Sequence, residues 1–535
     1  MWRRPAFGAA EGTDGAGAVA PVARSSLRIW SALRQHIGTH PVAAVIAGFT
    51  LLRLLFAANA PLLPQEAYYW TWSLHPDWSY FDHPPLATYS IWLTTTLLGS
   101  SAVTIKLAAV LWSFGWNVLW ALLVRDMFGA DRRLACATLI ALNLTLIYQG
   151  FGVMPTPDAP LIFAWVGAIW AVWRATQGGS TRWWFVAGAF VGLSFLAKYS
   201  GVLLLPVVLL YLLWSPAQRH WLARPQPYLA LVLAAVMFTP VLIWNAQHDW
   251  VSLAFQSTRR VDAMGGFKPR YFLMLVATQC LLLTPWVFAI AMAALGRGIG
   301  AGFRRAPLDD RVRLLLLSGA VPILLFTPIS LRSIVKINWL APAWWSLVIL
   351  GVHALLARTD GMARLRRGLA SSAAILAAAA ALAAIPNLPV VGNLNSWSGW
   401  DKAAARVAAL ERAEQAAGHP TFIFSPNYKI SSLIRLYLPG HPRTYAQDIY
   451  GAPALQFDYF PLDRDLKGAT GLLVLSDQDQ SELDLDRLKT YFDKIERIDT
   501  IETHGMGKLT RRIDIYRCTG YVGHPARPPA RNPLR

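Results

Sequence analysis

The sequence predicts a polytopic α-helical membrane protein of about 11 to 13 transmembrane helices, followed by a small α/β domain outside the bilayer. Three observations carry this. Of 535 residues, 55% are hydrophobic and only 15% are charged, a balance that soluble domains do not show. The apolar residues gather in about eleven runs that approach the length needed to cross roughly 30 Å of hydrocarbon. After about residue 390 the runs give way to shorter, alternating segments.

The runs lie near residues 42–58, 102–124, 134–152, 160–176, 184–198, 201–214, 227–247, 271–295, 314–330, 338–357 and 368–388. The fifth and sixth are short and meet at Ala197-Lys198-Tyr199-Ser200-Gly201, which predicts a broken or tilted crossing. Residues 1–40 are rich in Gly, Ala and Arg without an apolar period, and are expected to form a disordered cytoplasmic tail. They do not resemble a signal peptide, because the first apolar run begins only near Val42 and no small-residue cleavage site follows it.

Orientation follows from the loops. One alternate set carries Arg125, Arg132, Arg133, Arg174, Arg182, Arg219, Arg224, Arg297, Arg304, Arg305, Arg311, Arg313, Arg358, Arg364, Arg366 and Arg367, whereas loops 59–100 and 148–160 hold no Lys or Arg. The positive-inside rule makes the first set cytoplasmic. The expected protein is thus a multi-pass membrane protein, with the N-terminus cytoplasmic and the C-terminal region on the outer side. This clustering also accounts for the net charge of +19, and it excludes nucleic acid as a partner. The three cysteines, Cys136, Cys280 and Cys518, provide neither a disulfide framework nor a zinc pattern.

The predicted domains are a 41–390 transmembrane unit, a 391–522 soluble α/β unit and a frayed 523–535 tail. In the soluble unit, Asn393, Asn395 and the Trp397-Ser398-Gly399-Trp400 turn lead into strands at 421–424, 471–476 and 512–516. Helices are expected at 401–416, 428–438 and 481–494. It holds no catalytic motif.

Residues 65–86, QEAYYWTWSLHPDWSYFDHPPL, form the most informative stretch. Trp and Tyr belts are ordinary at bilayer interfaces. Carboxylates at the hydrocarbon edge are costly and usually have a task, which singles out Glu66, Asp77 and Asp82, with His75 and His83 beside them. On the same outer side lie cations that the orientation rule disfavours: Lys198, Arg259, Arg260, Lys268, Arg270, Arg332 and Lys336. They suit an anionic, phosphate-bearing ligand, or pairing with outer carboxylates and membrane lipid headgroups. The turn Met154-Pro155-Thr156-Pro157-Asp158-Ala159-Pro160 places one more carboxylate there, as a turn former or as a site residue. Trp244-Asn245-Ala246-Gln247-His248-Asp249-Trp250 adds amide, imidazole and carboxylate groups.

Carboxylates, aromatics that stack on sugar rings and cations that hold phosphate together suit transfer of a glycosyl group from a lipid-phosphate carrier. A carboxylate would act as general base toward the acceptor, and Lys or Arg would meet charge on the departing phosphate.

The runs QEAYYW, SYFDHPPLATYSIW, MPTPDAPL, AKYSGVLLLP, IWNAQHDW and VKINWLAPAWW, in this order over about residues 42–390, resemble bacterial glycosyltransferase family 39. That group has the GT-C fold and includes protein O-mannosyltransferases and the aminoarabinose transferases that modify lipid A. The resemblance implies a polyprenyl-phosphate-linked sugar as donor, a hexose or a pentose, and a lipid, glycan or protein acceptor on the extracytoplasmic side. The family's acidic pair falls at Gln65-Glu66, with glutamine where the catalytic aspartate usually stands. Glu66 or Asp82 then serves as base, or the activity is altered. Asp158 matches a further acidic position. Lys198, Tyr199 and Lys336 match outer polar positions near the donor, and Gln65, Tyr68, Tyr69, His83, His248 and Asn338, with the outer cations Arg259, Arg260, Lys268 and Arg270, complete the expected substrate-binding residues. Some relatives bind a divalent metal, zinc, manganese or magnesium, which Asp82, His83 and His248 would hold here. A flippase of lipid-linked sugars is the competing reading. It calls for an inverted repeat and ionisable groups at midmembrane depth, and the sequence displays no such repeat.

Overall fold

The computed structural model describes residues 40–262, 265–304, 307–385, 387–388, 397–477, 479 and 483–525, without the side chains of 258–262. The expected tails at 1–39 and 526–535, together with Arg305, Asn393 and Asn395, lie outside the described residues.

In chain order the helices are α1 (Pro41–Asn59), α2 (Pro64–Ser73), α3 (Leu86–Leu98), α4 (Ala102–Phe128), α5 (Arg132–Asn143), α6 (Leu146–Phe151), α7 (Asp158–Thr176), α8 (Arg182–Ala197) and α9 (Leu204–Trp214). There follow α10 (Gln226–Gln247), α11 (Val251–Asp262), α12 (Pro269–Leu283), α13 (Pro285–Phe303), α14 (Asp310–Ser330), α15 (Ala341–Leu356) and α16 (Gly361–Ala383). Among the described residues, α1, α4, α7, α10, α13, α14 and α16 are the seven helices long and apolar enough to cross a bilayer. Shorter apolar helices, α3, α8, α9 with its preceding turn, α12 and α15, fill the bundle between them. Exposed Leu51, Leu55, Leu97, Val232, Val236, Leu273, Leu281 and Leu324 give the bundle an apolar exterior, as a multi-pass protein requires.

Several predicted runs are subdivided. Run 134–152 is α5 and α6, separated where Thr145 leaves the helix and caps α6 by accepting from the Tyr148 N–H at 3.4 Å. Run 271–295 is α12 and α13, interrupted at Thr284, whose φ of 66° cannot continue a helix into Pro285. The expected break at Lys198 is present: its backbone is extended, and a 3₁₀ turn, Tyr199–Leu203, precedes α9. The 59–100 region, expected as a loop, contains α2 and α3. At 13 residues α3 is shorter than a spanning pattern demands.

The arginine-bearing loops meet at one end of the bundle. Asp126 at the end of α4 accepts from Trp170 and Arg174 of α7 at 2.9 and 3.2 Å, and Arg311 donates to the Met127 carbonyl at 3.1 Å. At the opposite end lie α2, the 74–85 loop and the C-terminal region.

That region contains α17 (Trp400–Ala416), β1 (Thr421–Phe424), α18 (Tyr428–Tyr437), β2 (Thr444–Tyr445), β3 (Thr470–Ser476), α19 (Leu485–Lys489), β4 (Lys494–Gly505) and β5 (Lys508–Thr519). The sheet order is β2-β1-β3-β5-β4. β1 pairs in parallel with β2 and β3, with Ile423 opposite Thr444 and Leu472, while β5 runs antiparallel to β3 and β4. β1 and β3 are buried along their whole length, which suits the central strands of a layer covered on both faces. The helix expected over 481–494 is corrected: among its described residues only α19 is helical, and Lys494 already begins β4, which the sequence reading missed along with β2.

One apolar cluster joins the two parts. Tyr68, Trp70 and Trp72 of α2 pack in it with Ile430, Leu433, Phe457 and Phe460. Ring contacts run from Tyr68 to Tyr428 at 4.5 Å, from Trp70 to His441 at 5.2 Å and from His75 to Phe460 at 4.7 Å.

Candidate active site

The site begins at α2. Pro64 starts this helix, and Glu66 closes its first turn by accepting from the Leu63 N–H at 2.7 Å. Tyr68, Tyr69 and Trp72 are all buried. The Tyr68 hydroxyl donates to Asp82 Oδ2 at 2.9 Å and accepts from the Gln456 N–H at 3.1 Å. Gln456 Oε1 in turn accepts from the Phe81 N–H at 2.7 Å. The C-terminal region thereby fixes the 81–82 backbone, and Gln256 Nε2 of α11 donates to the Asp82 carbonyl at 2.7 Å.

A second carboxylate faces the same ground. Asp158, first residue of α7 after the proline-rich turn, pairs with Lys198 Nζ at 2.7 Å and accepts from Asn338 Nδ2 at 2.8 Å. Both partners of this ion pair are buried, so little water competes for it. The next residue, Tyr199, shares a 2.6 Å hydrogen bond with Ser252, which donates to the Phe81 carbonyl at 2.8 Å. A chain of contacts thus runs from Asp158 and Lys198 through Tyr199 and Ser252 to Phe81, Asp82 and Tyr68. Tyr69 lies within the field of both acids: its phenol pKa is raised well above the ordinary value by burial first, then by Asp82 and Asp158, while Gln65 hydrogen-bonds it.

Glu66 points elsewhere. Its two carboxylate oxygens lie 2.7 and 2.8 Å from Lys106 Nζ of α4, with the two residues 0% and 2% exposed. Burial raises the Glu66 pKa, opposed by Lys106 and the Leu63 N–H. Its carboxylate is thus engaged by the Lys106 ammonium and the Leu63 N–H, both within the protein. Of the two carboxylates expected as base, Glu66 is the one held by a buried cation, whereas Asp82 is held by the Tyr68 hydroxyl.

His248 is also placed differently from expectation. Its ring stacks on Trp244 at 4.0 Å and its Nδ1 contacts the Trp244 carbonyl at 2.8 Å, beside Tyr459 at 5.6 Å. Asp82, His83 and His248 are not brought together: among the described residues no three His, Cys, Asp or Glu side chains form a metal-holding group. His83 lies 6.2 Å from Tyr69, ring to ring. The three therefore do not form the expected metal set.

Of the outer cations, Lys198 is inside the site, while Lys268, Arg270, Arg332 and Lys336 are exposed. Two loops bring them near one another: the Lys268 N–H donates to the Leu331 carbonyl at 2.7 Å, and Gln279 Nε2 holds the Ile337 carbonyl at 2.9 Å. Lys336 stands two residues before Asn338, the Asp158 ligand. The side chains of Arg259 and Arg260 lie outside the described residues. Sequence reasoning missed Ser252, Gln256, Tyr428, Gln456 and Lys106. Lys106 alone carried a signal, as a lone cation within an apolar run.

A helical bundle with a polar site at one end, roofed by a mixed-sheet cap, defines a multi-pass membrane protein of the GT-C fold. Known proteins agree. Residues 82–244 match the family described as dolichyl-phosphate-mannose-protein mannosyltransferase. The chain is 29% identical over 316 residues to the lipid A galacturonosyltransferase RgtD of Rhizobium johnstonii. That match takes in 58% of this chain and 64% of the relative, so the chain spans just under two thirds of it. Among solved structures, ArnT from Cupriavidus metallidurans in the apo state superposes with a TM-score of 0.60 at 16% identity, over 90% of this chain and 98% of that one. The same protein bound to undecaprenyl phosphate gives 0.59 at 17% identity, over 89% and 98%. The chain thus has the GT-C fold and is similar in sequence to known glycosyltransferases.

Proposed function

We propose that this chain is an integral membrane glycosyltransferase that moves a sugar from a polyprenyl-phosphate carrier to a lipid A-type glycolipid. The observation that carries the reading is the convergence of Asp82, held by Tyr68, with the buried Asp158–Lys198–Asn338 group. The likeness to a lipid A galacturonosyltransferase supports the acceptor class, and the likeness to a protein bound to undecaprenyl phosphate supports the carrier.

In the proposed reaction the acceptor hydroxyl oxygen attacks the anomeric carbon of the donor. Its proton passes to the Asp82 carboxylate as the anomeric carbon–oxygen bond breaks, and the polyprenyl phosphate leaves with the bonding electrons. Lys198, oriented by Asp158, presents its remaining N–H donors to the charge growing on that phosphate. Lys268, Arg270, Arg332 and Lys336 form a basic rim that draws the anionic carrier toward the site. Tyr69, Trp72 and Tyr428 supply apolar walls for the sugar. The arginine-rich end is proposed as cytoplasmic by the positive-inside rule, which puts the N-terminus inside and the cap in the periplasm of a bacterial inner membrane. In this reading 41–390 is the transferase unit and 391–522 its cap.

Gln65, standing in place of the family's aspartate, favours one second reading: a relative that binds the sugar-lipid without transferring the sugar. Purified protein incubated with undecaprenyl-phosphate sugars and lipid A, with products analysed by mass spectrometry, separates the two. Transfer predicts an acceptor heavier by one dehydrated sugar, and no such product from the Asp82→Asn variant. Retained donor with no product in the unaltered protein supports the second reading.

A further inference from the structure

At the arginine-rich end, α13 and α16 flank a shallow, open cavity of about 530 Å³, within the size range of small-molecule sites. Its lining is Trp286, Arg364, Arg367, Gly368 and Ser371. On α16, Arg364, Arg367 or Gly368, and Ser371 follow helical spacing and share one face.

The floor of this cavity is built rather than incidental. A Cβ at 368 would collide with the Trp286 indole, so glycine lets α16 lie flat against that ring. One turn deeper, Thr284 and Ser372 hydroxyls share a 2.7 Å hydrogen bond between the same two helices. Small displacements of α16 would break both contacts.

The charge on the cavity is not settled within the protein. Arg364, Arg366 and Arg367 occupy the first two turns of α16, the positive end of its macrodipole, where cations are unfavourable. Asp360 accepts from Arg358 at 3.4 Å and from Arg364 at 2.5 Å, so one carboxylate serves two guanidiniums. Arg367 forms no ion pair among the described residues, and its Nε makes only a long 3.4 Å contact to the Ala363 carbonyl. Arg364 and Arg367 are both exposed, so an anion arriving from the surface can reach them. The helix also faces outward: only 17% of its apolar window is buried in the protein, and Trp286 is the kind of side chain that sits at headgroup level.

We propose that this cavity is a binding site for an anionic glycerophospholipid of the arginine-side leaflet. The headgroup phosphate lies between Arg364 and Arg367, the glycerol region rests on Trp286, and an acyl chain continues along Gly368 and Ser371. The shared chemistry is a phosphate group, which could come from a lipid or from solution.

Detergent-purified full-length protein is titrated with phosphatidylglycerol, phosphatidylcholine or inorganic phosphate while thermal unfolding is followed. Phosphatidylglycerol is expected to raise the transition saturably, and the other two are not. Arg364→Gln with Arg367→Gln should weaken half-saturation about 10- to 30-fold, from about one lost charge contact per arginine. Arg304→Gln with Arg366→Gln, which removes equal charge from the same end, should leave it unchanged. Retained phosphatidylglycerol adducts in native mass spectra give the same comparison without unfolding. An unchanged titration in the Arg364/Arg367 variant, or an equal response to phosphatidylcholine, overturns the site. A response to inorganic phosphate that this variant abolishes overturns the lipid as its occupant.

Discussion

Lys106 Nζ lies 2.7 Å from Oε1 and 2.8 Å from Oε2 of Glu66, and both side chains are buried. This pair neutralises inside the protein a carboxylate that the sequence offers as a base. It also ties the first turn of α2, and so the tyrosines that follow, to α4. Removing one member leaves the other as an uncompensated buried charge, which costs about 3–5 kcal/mol, whereas replacing both by apolar groups is often neutral. Glu66→Gln is therefore expected to lower the thermal midpoint sharply, and Glu66→Leu with Lys106→Met to restore most of it along with transfer activity. A Glu66→Gln protein as stable as the unaltered one yet inactive would return Glu66 to the reaction.

Asp82 stands in a different relation to its partner, because Tyr68 contributes a neutral hydrogen bond rather than a charge. Asp82→Asn is expected to lower kcat about 10²- to 10⁴-fold, the usual range for a lost general base. Tyr68→Phe removes a donor that favours the charged carboxylate. The acidic limb of its kcat/KM profile should then move to higher pH with a much smaller loss at the optimum. A profile that only drops in height, with its limb in place, would mean that Tyr68 merely packs.

Asp158 and Lys198 form one unit with Asn338, and a unit should fail as one. Asp158→Asn and Lys198→Met are each expected to lower kcat/KM about 10²- to 10³-fold. The double variant should be little worse than the poorer single, giving a coupling energy of about 3–4 kcal/mol in a double-mutant cycle. Losses that simply multiply would show that the two residues act separately.

The bundle and its polar end were legible because hydrophobic run length and arginine asymmetry are properties of local sequence. Those signals placed Asp82, Asp158, Lys198, Tyr199 and Asn338 on one side, where contacts now link them. Charges inside runs were harder to read: Arg53 and Lys106 disappear in a hydropathy average, although each is buried and partnered. Arg53 donates to Asn143 at 2.6 Å and to the Tyr148 carbonyl at 3.2 Å, and packs on Gly152. Helix α3 was missed because its 13 residues fall short of a spanning length. Nothing local marked Gln456 or Tyr428 either, since their partners Tyr68 and Phe81 lie hundreds of residues earlier and only tertiary packing joins them.

The joint between bundle and cap should respond to acid through His75. This side chain packs on Phe460 at 4.7 Å, and its Nε2 has no hydrogen-bond partner among the described residues. Burial, then Arg435 and Arg443, push its pKa down to about 4 from 6.5. The unfolded chain therefore takes up the proton first, so the His75 contribution to stability is fully present above pH 6.5 and is lost as pH falls toward about 4. His75→Leu keeps an apolar contact with Phe460 and removes the titration. Its thermal midpoint should decline less than that of the unaltered protein between pH 7 and pH 4.5, and protease cleavage at the cap boundary should rise less over the same interval. Carboxylates that titrate in this range are common to both proteins and cancel in the comparison, so parallel curves would show that His75 does not govern the joint.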